Sequence, residues 1–280
     1  MRMAHRILKS LHDGTFLFKL LNRISRVRYV PSPEVQIDCF LADHYPGDRW
    51  KLLSPTARLV WVQFHALFQK HGIRTIAYVG ANEGDGALAF DDAFPGRVFY
   101  LFEPMPQTYR VLVQNTATRP HMHPFNLAAG VRNALLDMYV DRYASASSLL
   151  PYEPLAVQEF PFLGEQSMVK VQIRPLDDVL RESGAPPIDL LLMDVQGYED
   201  NVLRGASQTV KTCKIVISEL SLHALYQGSA TFDSVSRFLE HEGFHLQYLM
   251  NPIEGTSRYI LQVDGVFIRE TACAGPLSGI

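Results

Sequence analysis

A glycine-rich loop directly after a short apolar segment is the part of this sequence best suited to bind a ligand. Glycines stand at positions 80, 84 and 86, immediately after the apolar residues 75–79. Glycines allow the backbone to approach a ligand closely, and the free N–H groups of a following helix attract negative charge. Glu103 ends a second apolar segment one βα unit later, where a carboxylate can hold ribose hydroxyls. The pair predicts a Rossmann-like fold that binds a ribose-bearing cofactor.

Two more acids follow apolar segments in the second half of the chain. Asp194 comes directly after the run 188–193, and Glu219 ends the run 213–219. In open parallel sheets, ligands bind beyond the carboxyl ends of the strands. The glycine loop, Glu103, Asp194 and Glu219 are therefore expected at one common site.

Alternating strand and helix patterns position these residues. Strands are predicted near 75–80, 98–103, 122–129, 188–194, 213–219, 244–250 and 259–268, and helices at 56–70, 85–94, 106–117, 199–210 and 231–242. The alternation predicts a mostly parallel seven-stranded sheet with helices on both faces, and the last two strands predict an antiparallel hairpin at its edge. Residues 28–56 are expected to form a linker or cap. Residues 143–167 form a long loop, either a lid or binding element or an irregular surface insertion.

Composition separates the N-terminal segment from the rest. The chain has 280 residues, is 47% hydrophobic and carries a net charge of −3. Residues 1–30 hold seven Lys or Arg and a single acid, Asp13, so the remainder is acidic. Residues 3–27 predict a basic amphipathic helix that packs on the domain, forms a homodimer contact or touches an anionic membrane or a nucleic acid. We expect an N-terminal helical extension (1–70), a catalytic domain (71–270) and a C-terminal tail (271–280).

Several classes of function are not favoured by this composition. The three cysteines stand apart at positions 39, 213 and 273 without a CxxC pair. This spacing indicates no disulfide framework, and we expect a reducing, cytoplasmic location and no metal. No apolar stretch is long enough to span a membrane. A nucleic-acid partner is not expected either, because the basic excess lies outside the acidic body.

An ordered set of motifs resembles the FkbM-type methyltransferases. The matching segments, which run in order through about residues 73–250, are Val79-Gly-Ala-Asn-Glu-Gly84, Phe102-Glu-Pro-Met-Pro106 with Asn115, Asn126-Leu-Ala128, Ser147-Ser148, Leu176-Asp-Asp178, Ile188 to Glu199 and Leu203 to Ala206. The resemblance implies a class I fold that uses S-adenosylmethionine. It also implies methyl transfer to a hydroxyl of a small molecule, sugar, glycan or natural product.

The resemblance assigns the cofactor site residue by residue. The loop Gly80, Ala81, Asn82, Glu83 and Gly84 would surround the methionine part. Glu103, followed by Pro104, would hold the ribose diol. The segment Asn126, Leu127 and Ala128 would lie along the adenine edge. Asp194 would face the methyl donor as a further cofactor-binding residue, where it could meet the methionine ammonium, orient the acceptor or hold a divalent ion.

Catalysis on an alcohol needs a base, for which three candidates remain. These are Asp194, Glu219 and His223, a histidine having an ordinary pKa near 6.5. The sequence departs from the family pattern at Tyr78, commonly Asp, at Met193, often Lys, and at Gln196, usually Glu. These departures leave a catalytically silent, cofactor-binding scaffold as an alternative. An NAD(P)-dependent oxidoreductase is a further alternative, although the glycine spacing GxxxGxG differs from G-x-G-x-x-G.

Overall fold

The computed structural model describes residues 33–47 and 49–269, which form two compact units. One comprises the described residues up to 70 together with 88–95, and the other comprises 71–87 together with 96–269. The predicted basic helix at 3–27, with its proposed dimer and membrane contacts, and the tail 271–280 lie outside the described residues. Within the described part, no helix is long and apolar enough to cross a membrane.

The described residues contain nine α-helices and ten strands. The helices are α1 Pro33–His44, α2 Pro55–His71, α3 Asp85–Ala93, α4 Pro106–Thr116, α5 Pro154–Glu159, α6 Leu176–Glu182, α7 Glu199–Gly205, α8 Ser207–Thr212 and α9 Phe232–His241. The strands are β1 Thr75–Val79, β2 Val98–Phe102, β3 Met122–Phe125, β4 Ala128–Ala129, β5 Ala134–Val140, β6 Ser167–Arg174, β7 Leu190–Met193, β8 Ile215–Ser221, β9 Phe244–Glu254 and β10 Ile260–Arg269. Short 3₁₀ helices form at Arg49–Leu52 and Ala144–Ala146.

The first unit is built on the predicted helix α2. Ser54 caps it, because its hydroxyl oxygen accepts a hydrogen bond from the Ala57 N–H at 3.1 Å. The helix gives way at Gly72, whose φ of +58° suits glycine. The apolar stripe of α2 packs within the unit, with Phe68 stacked on Phe94 at 4.1 Å. Residues 28–56 are expected to form a linker or cap, and α1 and a 3₁₀ helix occupy most of the described part of this segment.

The second unit contains the seven-stranded sheet that the sequence predicts. Its order is β3-β2-β1-β7-β8-β10-β9. Neighbouring pairs from β3 to β8 are parallel, and β10 is antiparallel to both β8 and β9. All four residues of β7 are buried, as expected for a strand that is covered on both faces. The α/β fold with an antiparallel edge is confirmed.

A second, three-stranded sheet in the order β4-β6-β5 was not predicted. The predicted strand 122–129 ends at Phe125, and the chain leaves the main sheet to pair as β4 with β6. Asn126 fixes this exit, because its side-chain amide donates to the backbone oxygens of Glu103 and Pro104, each at 3.0 Å. The helix α6 was also missed, and the long loop 143–167 contains α5.

The predicted helix 199–210 is divided into α7 and α8. The side chain of Asp177 accepts hydrogen bonds from the backbone N–H groups of Gln208 at 2.7 Å and Thr209 at 2.8 Å, so α8 has its own N-terminal cap. Gly205 packs so closely that an added Cβ would lie 2.0 Å from the Gly130 backbone oxygen. A distant acid and a close tertiary approach therefore decide where this helix breaks.

Candidate active site at the carboxyl edge of the sheet

Strand register places the sequence-predicted residues in one row. Val79 pairs with Phe102 on one side and with Met193 on the other, and Met193 pairs with Ser218. The residues that follow these positions are Gly80, Glu103, Asp194 and Glu219. Asp264 of β10 is directly opposite Glu219 and extends the row. Because the carboxyl ends of parallel strands share one edge, the fold brings four predicted residues and one unpredicted acid together.

Gly80 lets β1 and β7 approach each other at this edge. Its φ is +85°, and an added Cβ would lie 1.8 Å from the backbone oxygen of Asp194. The N–H groups of Gly80 and Ala81 both donate to the Phe102 oxygen at 3.0 Å. Any side chain at position 80 would therefore push the glycine loop away from Asp194.

Glu103 holds the glycine loop from the neighbouring strand. One carboxylate oxygen accepts from the Asn82 N–H at 3.1 Å, and the other accepts from the Met105 N–H at 2.8 Å. The side chain is 6% exposed, and burial raises its pKa to about 7. Each oxygen keeps a lone pair that a ligand hydroxyl can use.

A cavity of about 620 Å³ opens above these residues and is partly continuous with solvent. Gly80, Asn82 and Glu103 lie along one part of its wall, and Leu127, Ala128 and Ala129 form an apolar part. The side-chain oxygen of Asn82 is buried, and no residue within 33–47 or 49–269 gives it a hydrogen bond. A buried acceptor without a partner suits a ligand that brings a donor, such as the ammonium group of a methionine. The donor set therefore fits a ligand with an amino acid end, a ribose diol and a flat apolar ring.

A hydrogen-bonded network joins Asp194 and Glu219 beside this cavity. The Gln196 side-chain nitrogen donates to Asp194 at 2.7 Å and to Glu219 at 2.8 Å. Gln262 also donates to Glu219, at 2.7 Å. The Tyr226 hydroxyl donates to the side-chain oxygen of Gln196 at 2.7 Å. Two carboxylates are thus linked by one amide.

The electrostatic setting of these carboxylates is unfavourable to negative charge. Burial, opposed by the Gln196 hydrogen bond and reinforced by Asp264, raises the pKa of Asp194 to about 6. Burial followed by the charges of Asp194, Glu199 and Asp264 raises the pKa of Glu219 well above its ordinary value. Both carboxyl groups therefore keep a proton to higher pH than an exposed carboxyl does, and their titrations depend on each other.

A second cavity, of about 780 Å³, meets the first at this network. Ser145, Asp194 and Gln196 lie in the walls of both cavities. Four aromatic rings line the second cavity, namely those of Tyr143, Phe160, Phe162 and Tyr226. Its polar groups include the two carboxylates and Gln262, and the described lining residues include no lysine, arginine or histidine.

Some sequence-predicted residues lie away from the cavities. Within the glycine loop, Ala81 and Gly84 are buried and do not line the cavity. The Glu83 side chain is exposed, although its backbone oxygen accepts from the Asn115 side chain at 2.9 Å. Asn126 supports the backbone of Glu103 and Pro104 rather than facing the cavity. His223 is exposed and lines neither cavity. The geometry gives these positions supporting roles or none at the site.

Other site residues escaped sequence reasoning. Asp264 and Gln262 interrupt an otherwise apolar strand at 260–268, which is a signal that could have been used. Tyr226 gave no such signal, whereas Phe160 and Phe162 lie in the loop 143–167, which the sequence predicts as a lid or binding element or a surface insertion. Gln196 was noted only as a departure from the family pattern.

Comparison with known proteins identifies the family. The model of the methyltransferase FkbM domain matches residues 79–246, which is more than half of the chain. This chain belongs to the FkbM methyltransferase family. S-adenosylmethionine, the methyl donor of the family, is its cofactor, and the Rossmann-like methyltransferase fold is confirmed. The oxidoreductase alternative finds no support.

Two curated relatives of this FkbM chain are similar at modest identity. The 2-O-methyltransferase NoeI from Sinorhizobium fredii is 29% identical over 184 residues, which are 62% of this chain and 74% of NoeI. The methyltransferase sdnD from Sordaria araneosa is 29% identical over 156 residues, which are 48% of this chain and 60% of sdnD. The FkbM chain thus spans less than two thirds of sdnD.

Solved structures resemble the FkbM chain only distantly. The N-methyltransferase NodS from Bradyrhizobium japonicum has a TM-score of 0.44 at 11% identity, covering 78% of this chain and 98% of NodS. Aeropyrum pernix fibrillarin in complex with S-adenosylmethionine has a TM-score of 0.42 at 12% identity, covering 70% of this chain and 66% of fibrillarin. These scores are too low to carry any argument about substrate.

Proposed function

We propose that this FkbM methyltransferase methylates a hydroxyl group of an uncharged, polyhydroxylated acceptor such as a sugar, a glycan or a natural product. The observation that carries the proposal is the position of Asp194 in the shared wall of two cavities. The first cavity fits the methyl donor, and the second is free for an acceptor. A base in the shared wall can reach an acceptor hydroxyl next to the donor.

The cofactor would be held by residues of the first cavity. Glu103 would accept hydrogen bonds from the ribose diol, and Asn82 would accept one from the methionine ammonium. Leu127, Ala128 and Ala129 would pack against the adenine ring. When bound, S-adenosylmethionine supplies a sulfonium methyl group, and its transfer to an oxygen leaves the S–C bonding pair on sulfur.

Asp194 is the better candidate for the general base. Its pKa of about 6 leaves it ionised at neutral pH, so it can accept the acceptor hydroxyl proton as the new C–O bond forms. The pKa of Glu219 lies well above the ordinary value, so Glu219 keeps its proton more readily and can orient the acceptor by donating a hydrogen bond. Much of the rate would come from holding the hydroxyl in line with the methyl group.

The second cavity supports the choice of acceptor class. Aromatic rings offer flat apolar faces to a sugar ring, and the amide and carboxyl groups offer partners for its hydroxyls. The negative charge of ionised Asp194, with no lysine, arginine or histidine among the described lining residues, would repel a phosphate or carboxylate placed there. Similarity to a 2-O-methyltransferase is consistent with transfer to oxygen.

A screen for S-adenosylhomocysteine release tests this function. The panel should pair neutral saccharides with their uronic acids, and neutral members should be preferred. Asp194→Asn should lower kcat at least about 100-fold, the scale of general-base catalysis, and leave S-adenosylhomocysteine affinity nearly unchanged. Asp233→Asn, an exposed acid-to-amide change on α9, is the matched control. Tight cofactor binding without turnover of any acceptor would instead support the silent scaffold.

A further inference from the structure

We propose that Gln196 is a positioning residue that holds Asp194 and Glu219 as one coupled pair at the junction of the two cavities. The hydrogen bonds of Gln196 to the two carboxylates are observed whatever the function of the protein is. The catalytic use of the pair rests on the proposed function. Gln196, which stands where the family pattern usually has Glu, would then have a positioning role that a carboxylate could not fill by donating hydrogen bonds.

The contacts of the Gln196 amide define this role. Its nitrogen carries two protons, and acceptors for both lie within reach, Asp194 at 2.7 Å and Glu219 at 2.8 Å. An amide turned the other way would present its oxygen to two carboxylates, which is unfavourable unless both carry a proton. The single proton of the Tyr226 hydroxyl has two acceptors within reach, the Gln196 side-chain oxygen at 2.7 Å and the Ala146 backbone oxygen at 3.1 Å, and donation to the nearer one reinforces the orientation of the amide.

The backbone of Gln196 is held as firmly as its side chain. Its φ is +54°, in the left-handed region that most residues avoid, and Gly197 follows with a φ of +95°. The hydroxyl of the buried Ser148 donates to the Gln196 carbonyl at 2.7 Å. Glu199 accepts from the N–H groups of Val195 at 3.3 Å and Gly197 at 3.2 Å. The turn therefore aims the amide at the carboxylates.

The two N–H groups of the Gln196 side chain matter because the carboxylates have no described positively charged neighbour. The titratable groups that act on the pair from the packed elements are Tyr78 of β1, Glu103 after β2, Glu199 of α7, Tyr226 after β8 and Asp264 of β10. None of these supplies a positive charge. The Gln196 hydrogen bonds favour the ionised forms and lower the pKa of both carboxyls against the effect of burial.

Titration of the Asp194 carboxyl by carbon-13 NMR tests the role without any acceptor. The Asp194 signal can be assigned by its loss in Asp194→Asn. Gln196→Met keeps the length of the side chain but removes both donors, so the pKa of Asp194 should rise by about one unit, as expected for losing a hydrogen bond to a charged group. Gln262→Met removes a donor from Glu219 alone, and Gln114→Met is a surface control. Both should change the Asp194 pKa far less.

An unchanged Asp194 pKa in folded Gln196→Met would overturn the proposal. If that variant fails to fold, Tyr226→Phe removes only the hydroxyl that fixes the amide, and a smaller rise in the same direction is expected; no rise would overturn the proposal. With an acceptor that is turned over, the acid limb of the kcat profile should move to higher pH by the same amount. If the wild-type protein methylates nothing, the proposed function fails while the NMR titration still decides the role of Gln196.

Discussion

Replacing Glu103 with glutamine should weaken cofactor binding by about 30- to 150-fold. Both oxygens of this carboxylate accept a backbone N–H, from Asn82 and from Met105. A glutamine can accept only one of these bonds, and its NH₂ group would face the other N–H. The variant also loses the charge that strengthens hydrogen bonds from the ribose hydroxyls. At about 2–3 kcal/mol for hydrogen bonds to a charged group, the loss corresponds to this range.

The pH dependence of the wild-type protein offers an internal check. Burial raises the pKa of Glu103 to about 7, and the ionised form is the one that accepts the ribose hydroxyls best. Affinity for S-adenosylhomocysteine should therefore be nearly constant above pH 8 and should fall about tenfold between pH 8 and pH 6. Binding near pH 6 should also release protons, because the ligand favours the ionised carboxylate.

Isothermal titration calorimetry with S-adenosylhomocysteine, in buffers of different ionisation enthalpy, measures both effects. Glu240→Gln, an exposed change on α9, is the matched control and should behave as wild type. An affinity of Glu103→Gln within about twofold of wild type at pH 8, far smaller than any loss of a charged hydrogen bond, would refute the reasoning. A flat wild-type affinity between pH 5.5 and 8 would refute it equally.

Three further changes test the site by different measurements. Burial raises the pKa of Glu199 to about 7, so the native state keeps a proton that the unfolded chain loses between about pH 4.5 and 7, and this group lowers stability as the pH rises through that window. The free energy of unfolding of Glu199→Gln, measured by urea titration, should therefore increase relative to that of wild type by up to about 3 kcal/mol as the pH is raised from about 4.5 to 8. A difference in unfolding free energy that stays the same across this pH range would contradict the prediction. Gly80→Ala should abolish S-adenosylhomocysteine binding, because the added Cβ would collide with the backbone of Asp194. Gly184→Ala is the control, since this glycine also has a positive φ, +70°, but has open space around it. It should lose only about 1–2 kcal/mol of stability and bind S-adenosylhomocysteine as wild type does. Phe162→Ala should raise the acceptor KM severalfold in steady-state assays without changing cofactor affinity, and an unchanged KM would remove Phe162 from the acceptor site.

The sequence predicted the main sheet well because its strands carry strong local signals. Buried strands such as β7 are continuous apolar runs, and they are separated by helices with regular apolar spacing. Elements without such signals were missed. The two-residue strand β4 exists only through its pairing with β6, and the break between α7 and α8 depends on the distant Asp177. Local sequence propensity does not contain information about such contacts between distant parts of the chain.

The candidate site divides in the same way. The order of motifs along the chain sufficed for the family and the methyl donor, and it predicted Gly80, Glu103, Asp194 and Glu219 as site residues. Their alignment in one row was already implied, since parallel strands end at a common edge. Exposed His223 shows the limit of that reasoning, because a position just past a strand does not fix where a side chain points.

Sequence alone determined which residue types stand at the strand ends, and thus the fold class and the cofactor. Only the tertiary structure decided how they act together. It brought Tyr226, Gln262 and Asp264 from distant parts of the chain to Asp194 and Glu219, and it turned Gln196 from an apparent loss into the group that links the two carboxylates. The physical reason is that pKa values and hydrogen-bond partners depend on burial and distance in space, which spacing along the chain does not contain.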